Sequence, residues 1–168
     1  MPADFDPQLV NELGIEIGWQ TLLDDYEDKR SWRHLILFPR VEEYLQRKRV
    51  EGYKLGIVTN GSINSQQPKI GGTGLDKLVD TYLISEQEQI RKPEPEIFLR
   101  AAARLDVATT ECVFVGDNPQ ADVVGAKQVG MKAIWFKGHL PWPDALDAQP
   151  DHTITQFDEM FDLDERRL

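Results

Sequence analysis

Three short stretches of this chain carry residue types suited to phosphate chemistry. Thr59-Asn60-Gly61 offers a hydroxyl and backbone N–H groups ahead of a helix start, a natural anion site. Lys92, in Arg91-Lys92-Pro93, supplies a positive charge before another helix. Asp117, within Gly116-Asp117-Asn118-Pro119-Gln120-Ala121-Asp122, supplies a hard oxygen ligand suited to Mg²⁺. Singly, each has a plain structural explanation as a turn, an exposed loop or a strand exit. Taken together, in this order, they supply a donor, a cation and a metal ligand around one crevice, as phosphoryl transfer requires.

The elements that must position these residues follow from periodicity and punctuation. Tyr53–Val58, Thr81–Ser85, Cys112–Val115 and Lys132–Phe136 are short apolar runs that read as buried strands, and Thr153-Ile154-Thr155 as a short edge strand. Helices are expected from Asp6-Pro7, through Trp19, Leu22, Leu23 and Tyr26, from Pro39, after Pro93 and Pro95, and over Ala121–Val129 with Gly130 as its cap. A helix after Gly61 is expected to break at Pro68 and the Gly71-Gly72-Thr73-Gly74 cluster. Those glycines lack the Gly-Lys-Ser/Thr ending of a phosphate loop. Strands alternating with helices predict parallel pairing through crossover helices, an α/β fold. Thr59, Lys92 and Asp117 then fall just past strand ends or in loops, the edge where ligands bind in open parallel sheets.

Composition bounds the rest. The 168 residues, 40% hydrophobic and 29% charged, are those of an ordinary globular protein. A net charge of −10 argues against nucleic acid as a partner, because phosphate backbones are held by Lys and Arg. The basic run Arg47-Lys48-Arg49 reads as a solvated helix end. Cys112 stands alone, which leaves no intramolecular disulfide or cysteine-based zinc site. The first residues have no signal-peptide pattern, and no apolar run reaches the roughly 18 residues of a membrane span. A cytoplasmic protein without membrane contact is the expectation.

Leu55-Gly-Ile-Val-Thr-Asn-Gly61, Lys92-Pro-Glu-Pro-Glu-Ile-Phe98 and Val113-Phe-Val-Gly-Asp-Asn-Pro-Gln-Ala-Asp122, continued by Gly125-Ala126 and Gly130-Met131-Lys132-Ala133, resemble the haloacid dehalogenase superfamily. The resemblance is to its phosphatase-like members with a helical cap inserted early in the chain, and it covers residues 39–136. It implies a three-layer αβα Rossmann-like parallel sheet at 39–168 and a partial helical cap at 1–38. It implies hydrolysis of a small phosphorylated metabolite with Mg²⁺. Thr59 would bind the phosphoryl oxygen with the backbone of Asn60 and Gly61, and Lys92 would neutralise charge. Asp117 and Asp122 would serve the metal, Asp122 by orienting Lys92 or the metal shell, and Asn118 would add to the outer shell.

The family's nucleophile lies in an apolar strand followed by Asp-x-Asp, and no segment before Thr59 has that form. Asp4-Phe5-Asp6 reads as a helix cap, and Asp24-Asp25 as a solvated helix face. The resemblance therefore implies a chain that begins midway through the cap and lacks the usual central strand, with little or no activity by itself. Direct pairing of the first and third strands would restore a flavodoxin-like order: second, first, third, fourth, then the Thr153 strand. The alternative is a strand supplied by another chain. Trp19, Leu22, Leu23, Tyr26 and Trp32 would leave an apolar patch suited to a homodimer interface. A non-catalytic phosphate-ligand-binding or dimeric interaction protein is the competing expectation.

Overall fold

The computed structural model describes residues 31–138 and 141–164. The chain divides into two compact units, Met1–Ile36 and Leu37–Leu168. In the first, the described element is a short 3₁₀ turn at Ser31–His34. The helices expected from Asp6-Pro7 and around Trp19–Tyr26, with the dimer patch they carry, lie outside the described residues, as do Asp4, Asp6, Asp24 and Asp25.

The second unit alternates helix and strand. Helix α1 (Val41–Val50) leads to strand β1 (Gly56–Thr59), then helices α2 (Ile63–Gly72) and α3 (Leu75–Leu78). Strand β2 (Thr81–Ile84) is followed by the single turn α4 (Ser85–Glu88) and helix α5 (Pro95–Leu105). Strand β3 (Val113–Gly116) runs into a π-helical turn (Pro119–Val124) and helix α6 (Gly125–Gln128). Strands β4 (Lys132–Phe136) and β5 (His152–Ile154) complete the sequence.

Proline 68 does not break its helix: α2 runs through it to Gly72. Only one backbone donor is lost at a proline, and both helix ends are capped. Ser62 Oγ accepts the Ser65 N–H at 3.2 Å, and Thr73 Oγ1 donates to the Lys69 carbonyl at 2.7 Å. The chain leaves the helix only at Gly74, whose φ of +74° suits a residue without Cβ.

All strand pairs are parallel, as expected, but they form two sheets instead of one. β1 pairs with β2 from Gly56↔Thr81 to Thr59↔Ile84, and β3, β4 and β5 form the other sheet in that order. Of the two alternatives the sequence left, direct pairing of β1 with β3 is not seen among the described residues. Burial follows the same division. In β4, Ala133, Ile134 and Trp135 are all buried, and Leu83 and Ile84 of β2 are fully buried, whereas Val115 of β3 is 41% exposed.

Helices cover both faces of the β3–β5 sheet, the arrangement parallel sheets require. Ala133 and Trp135 join Phe98, Val123 and Ala126 in one apolar cluster, while Ile134, between them in sequence, joins Tyr44, Ile154 and Met160 in another. Helix α5 ties the two sheets together. Its Ile97, Phe98, Ala101 and Ala102 are buried on one stripe, and Val58 of β1 and Phe114 of β3 both pack against that cluster. The Phe98 and Phe114 rings meet edge to face at 5.0 Å. A buried carboxylate, Glu88, anchors α4 to α5 by accepting from Arg100 Nη1 at 3.0 Å and from Arg104 Nη2 at 2.8 Å.

Candidate active site

The site assembles where β1, the loop before α5, and β3 end. Asn60, directly after β1, clamps the main chain of Lys92: its Nδ2 donates to the Lys92 carbonyl at 2.9 Å and its Oδ1 accepts the Lys92 N–H at 2.9 Å. The amide thereby stands in for a neighbouring strand and fixes where the lysine side chain departs. A cis Lys92–Pro93 peptide follows. The Lys92 ammonium lies 2.6 Å from Asp122 Oδ1 and 5.4 Å from the centre of the Phe114 ring.

Asp122 reaches this position through the π-helical turn, a widened turn often found at functional sites. Asn118 caps the turn by accepting the Ala121 N–H on its side chain at 2.8 Å. The second Asp122 oxygen accepts the Asn118 N–H at 2.9 Å. Gly116 makes the close approach possible, since a Cβ there would overlap the Asp122 carboxylate. Gly125 serves the opposite flank: a Cβ would overlap the Phe98 ring and lie 3.1 Å from Pro93 Cα.

Asp117 is exposed at the end of β3. Its carbonyl accepts from Trp135 Nε1 at 3.0 Å, and its carboxylate has no partner among the described residues. Thr59 Oγ1 donates to Gln66 Oε1 at 3.1 Å. The Gly61 N–H goes to Ser85 Oγ at 2.9 Å and the Ile63 N–H to Glu86 Oε2 at 2.7 Å, so of the donors expected for an anion the Thr59 hydroxyl and the Gly61 N–H are engaged within the protein. A cavity of about 340 Å³ opens beside this loop, with Gly61, Ser62, Ser85, Glu86 and Arg91 in its lining.

Thr59, Asn60, Lys92, Asp122, Asn118 and Asp117 thus lie along one continuous run of bonds and chain neighbours. Magnesium demands near-octahedral oxygen coordination, and among the described residues no three Asp, Glu, His or Cys side chains gather to offer it. Among the described residues Asp117 offers an open carboxylate at the site, whereas Asp122 has committed both oxygens. The described residues alone therefore do not make a Mg²⁺ site.

Sequence reasoning did not reach Gln66, Ser85 or Trp135. Ser85 carried a usable signal, lying directly after a parallel strand where ligands and their supports gather. Gln66 and Trp135 carried none, since a helical glutamine and an apolar strand residue have bland explanations everywhere.

Parallel strands whose C-terminal ends, with the loop before α5, bring together a threonine, a lysine and two aspartates form a doubly wound α/β scaffold. The haloacid dehalogenase-like hydrolase family matches residues 5–130, and the chain belongs to that family. It is 36% identical to the glyceraldehyde 3-phosphate phosphatase of Pyrococcus furiosus, over 99% of this chain and 80% of that protein. It is 37% identical to the phosphoserine phosphatase of Thermus thermophilus over 79% of this chain, and spans 53% of that protein's length. The HAD phosphatase structure from Thermococcus onnurineus superposes with a TM-score of 0.69 at 32% identity, over 91% of this chain and 67% of that one. Among the described residues no helix is long and apolar enough to cross a membrane.

Proposed function

We propose that this chain carries the phosphoryl-binding part of a phosphomonoester hydrolase for small phosphorylated metabolites. The observation that carries the reading is the buried Lys92–Asp122 pair, held by Asn60 beside Thr59. Phosphoryl transfer is catalysed mainly by positioning and by charge already in place, and a lysine locked at both its backbone and its ammonium provides both. Thr59 donates its hydroxyl to a phosphoryl oxygen, Asn60 and Gly61 shape the loop around it, and Lys92 balances the negative charge. Asp117 is the carboxylate open to a cation. The substrate class is supported by relatives named for phosphoserine and glyceraldehyde 3-phosphate. Residues 1–38 as part of a cap and 39–168 as the core belong to the same proposal.

A second reading, binding without efficient turnover, is favoured by one observation. Among the described residues no third acidic group stands with Asp117 and Asp122, and none of those before Thr59 is an aspartate. Loss of a covalent nucleophile costs about four to six orders of magnitude in rate, so turnover by the described residues alone is slow.

Release of phosphate from an aryl phosphate and from glyceraldehyde 3-phosphate with Mg²⁺, measured beside equilibrium binding of inorganic phosphate, separates the two. Turnover lost in Lys92→Ala and Thr59→Val supports the hydrolase. Binding without turnover, again lost in those variants, supports the second reading. Activity or binding indifferent to both substitutions removes the site from either account.

A further inference from the structure

The geometry points to Gln66 as a positioning residue that decides where the Thr59 hydroxyl proton goes. This rests on reading Thr59 as a donor to an anion. A threonine hydroxyl has one proton and two lone pairs. Here the proton is given to Gln66 Oε1 at 3.1 Å. A phosphoryl oxygen only accepts, so in this arrangement Thr59 has nothing to donate to it.

The Gln66 carboxamide is placed to change that. It sits on the second turn of α2, its backbone N–H bonded to the Ser62 carbonyl at 2.9 Å. Its amide covers Gly61, where an added Cβ would lie 2.6 Å from Gln66 Nε2. The space is therefore shared between a residue with no side chain and an amide that reaches over it to Thr59. Gly61 has φ +148°, so both backbone and neighbour require glycine there.

A half-turn of the amide exchanges its oxygen and nitrogen with little change in shape. The orientation observed is weakly held on the nitrogen side, whose one hydrogen bond among the described residues is to Ser65 Oγ at 3.5 Å. After the half-turn, Nε2 donates to a Thr59 lone pair and the hydroxyl proton is released toward the loop. An arriving anion repays that proton with a charge-assisted hydrogen bond, which is stronger than a neutral one. Gln66 thereby holds Thr59 as an acceptor's partner when the site is empty and as a donor when an anion is bound.

The test uses the full chain and sulfate, an anion whose charge does not change between pH 4 and 8, followed by calorimetric titration. Gln66→Glu accepts only and retains the proton at neutral pH. It is expected to bind sulfate about tenfold or more weakly than Asn64→Glu, which adds the same charge on the exposed side of the same helix. Affinity in Gln66→Glu is expected to recover as the new carboxyl protonates near pH 4, because a protonated acid donates again. Gln66→Leu, which removes the acceptor, stays within about threefold of the parent. In a Thr59→Val background the difference between the two glutamate variants disappears.

Equal sulfate affinities for Gln66→Glu and Asn64→Glu, or a difference that persists in Thr59→Val, overturn the assignment of Gln66 while Thr59 keeps its role. Sulfate binding that is absent from the parent chain, or unchanged by Thr59→Val, overturns the reading of Thr59 first and Gln66 with it.

Discussion

Lys92 and Asp122 form an ion pair at 2.6 Å in which the lysine side chain is 12% and the aspartate side chain 4% exposed. Two charges so far from water are tolerated because each is the other's partner, and Asp122 also accepts the Asn118 N–H. Removing one partner leaves the other uncompensated. Asp122→Leu and Lys92→Met are each expected to lower stability by about 3–5 kcal/mol. The double substitution, which removes both charges, is expected to be more stable than either single one. Urea unfolding of the three variants decides this, and a double variant that loses the sum of the single losses speaks against a buried pair.

The closeness of Gly116 to Asp122 yields a second expectation. A methyl group at 116 overlaps the carboxylate and must push the π-helical turn away from β3. Gly116→Ala is expected to cost about 1–3 kcal/mol, the range for overpacking a filled site. It is also expected to weaken phosphate binding by releasing Lys92 from its fixed position. Loss of stability with phosphate affinity retained would show that Asp122 does not govern where the ammonium points.

Glu88 gives the pH dependence. Burial pushes its carboxyl upward, but hydrogen bonds from Arg100 and then Arg104 outweigh burial and hold it below the ordinary glutamate value of 4.5. A folded-state value lower than the unfolded one means stability that is complete above about pH 4.5 and lost as pH falls through the folded value. Thermal unfolding followed from pH 6 to 3 is expected to show that loss, and Glu88→Gln to flatten it. Asp151, also held low against its burial by Lys127 and the Ala133 N–H, acts in the same direction. The slope in Glu88→Gln should therefore shrink without vanishing, and an unchanged slope would remove Glu88 from the account.

Much of this arrangement was legible in the residues themselves. Strand ends announce themselves through apolar runs that stop at Thr59-Asn60-Gly61 and Gly116-Asp117, and helix α5 through Pro95 followed by a buried stripe of Ile97, Phe98, Ala101 and Ala102. The missing central strand was legible too, but local pattern does not say which strand lies beside which, and so it left direct pairing of β1 with β3 and a strand from another chain as alternatives. Residue type also does not distinguish a metal ligand from an ion-pair partner. Asp117 and Asp122 are the same amino acid, yet one is open and the other is spent on Lys92 and the Asn118 N–H. Pro68 misled because the lost hydrogen bond and the crowding of its ring against the preceding turn do not by themselves end a helix, and here both ends are held, at Ser62 and Thr73.

The last expectation concerns Trp135, whose indole N–H holds the Asp117 carbonyl at 3.0 Å. The ring is buried and meets Trp142 edge to face at 5.1 Å, so its packing and its hydrogen bond can be separated. Trp135→Phe keeps an aromatic ring but leaves the carbonyl without its donor, at an expected cost of about 1–3 kcal/mol. Asp117 is joined directly to Asn118, whose N–H ends on the Asp122 carboxylate, so slack at the carbonyl passes to that bond. Hydrogen exchange at the Asn118 amide is therefore expected to quicken more than exchange in β4 itself. If both quicken alike, the indole serves the core and not the loop. If Asn118 alone responds, a tryptophan on strand β4 is setting the position of Asp117, whose carboxylate is open among the described residues.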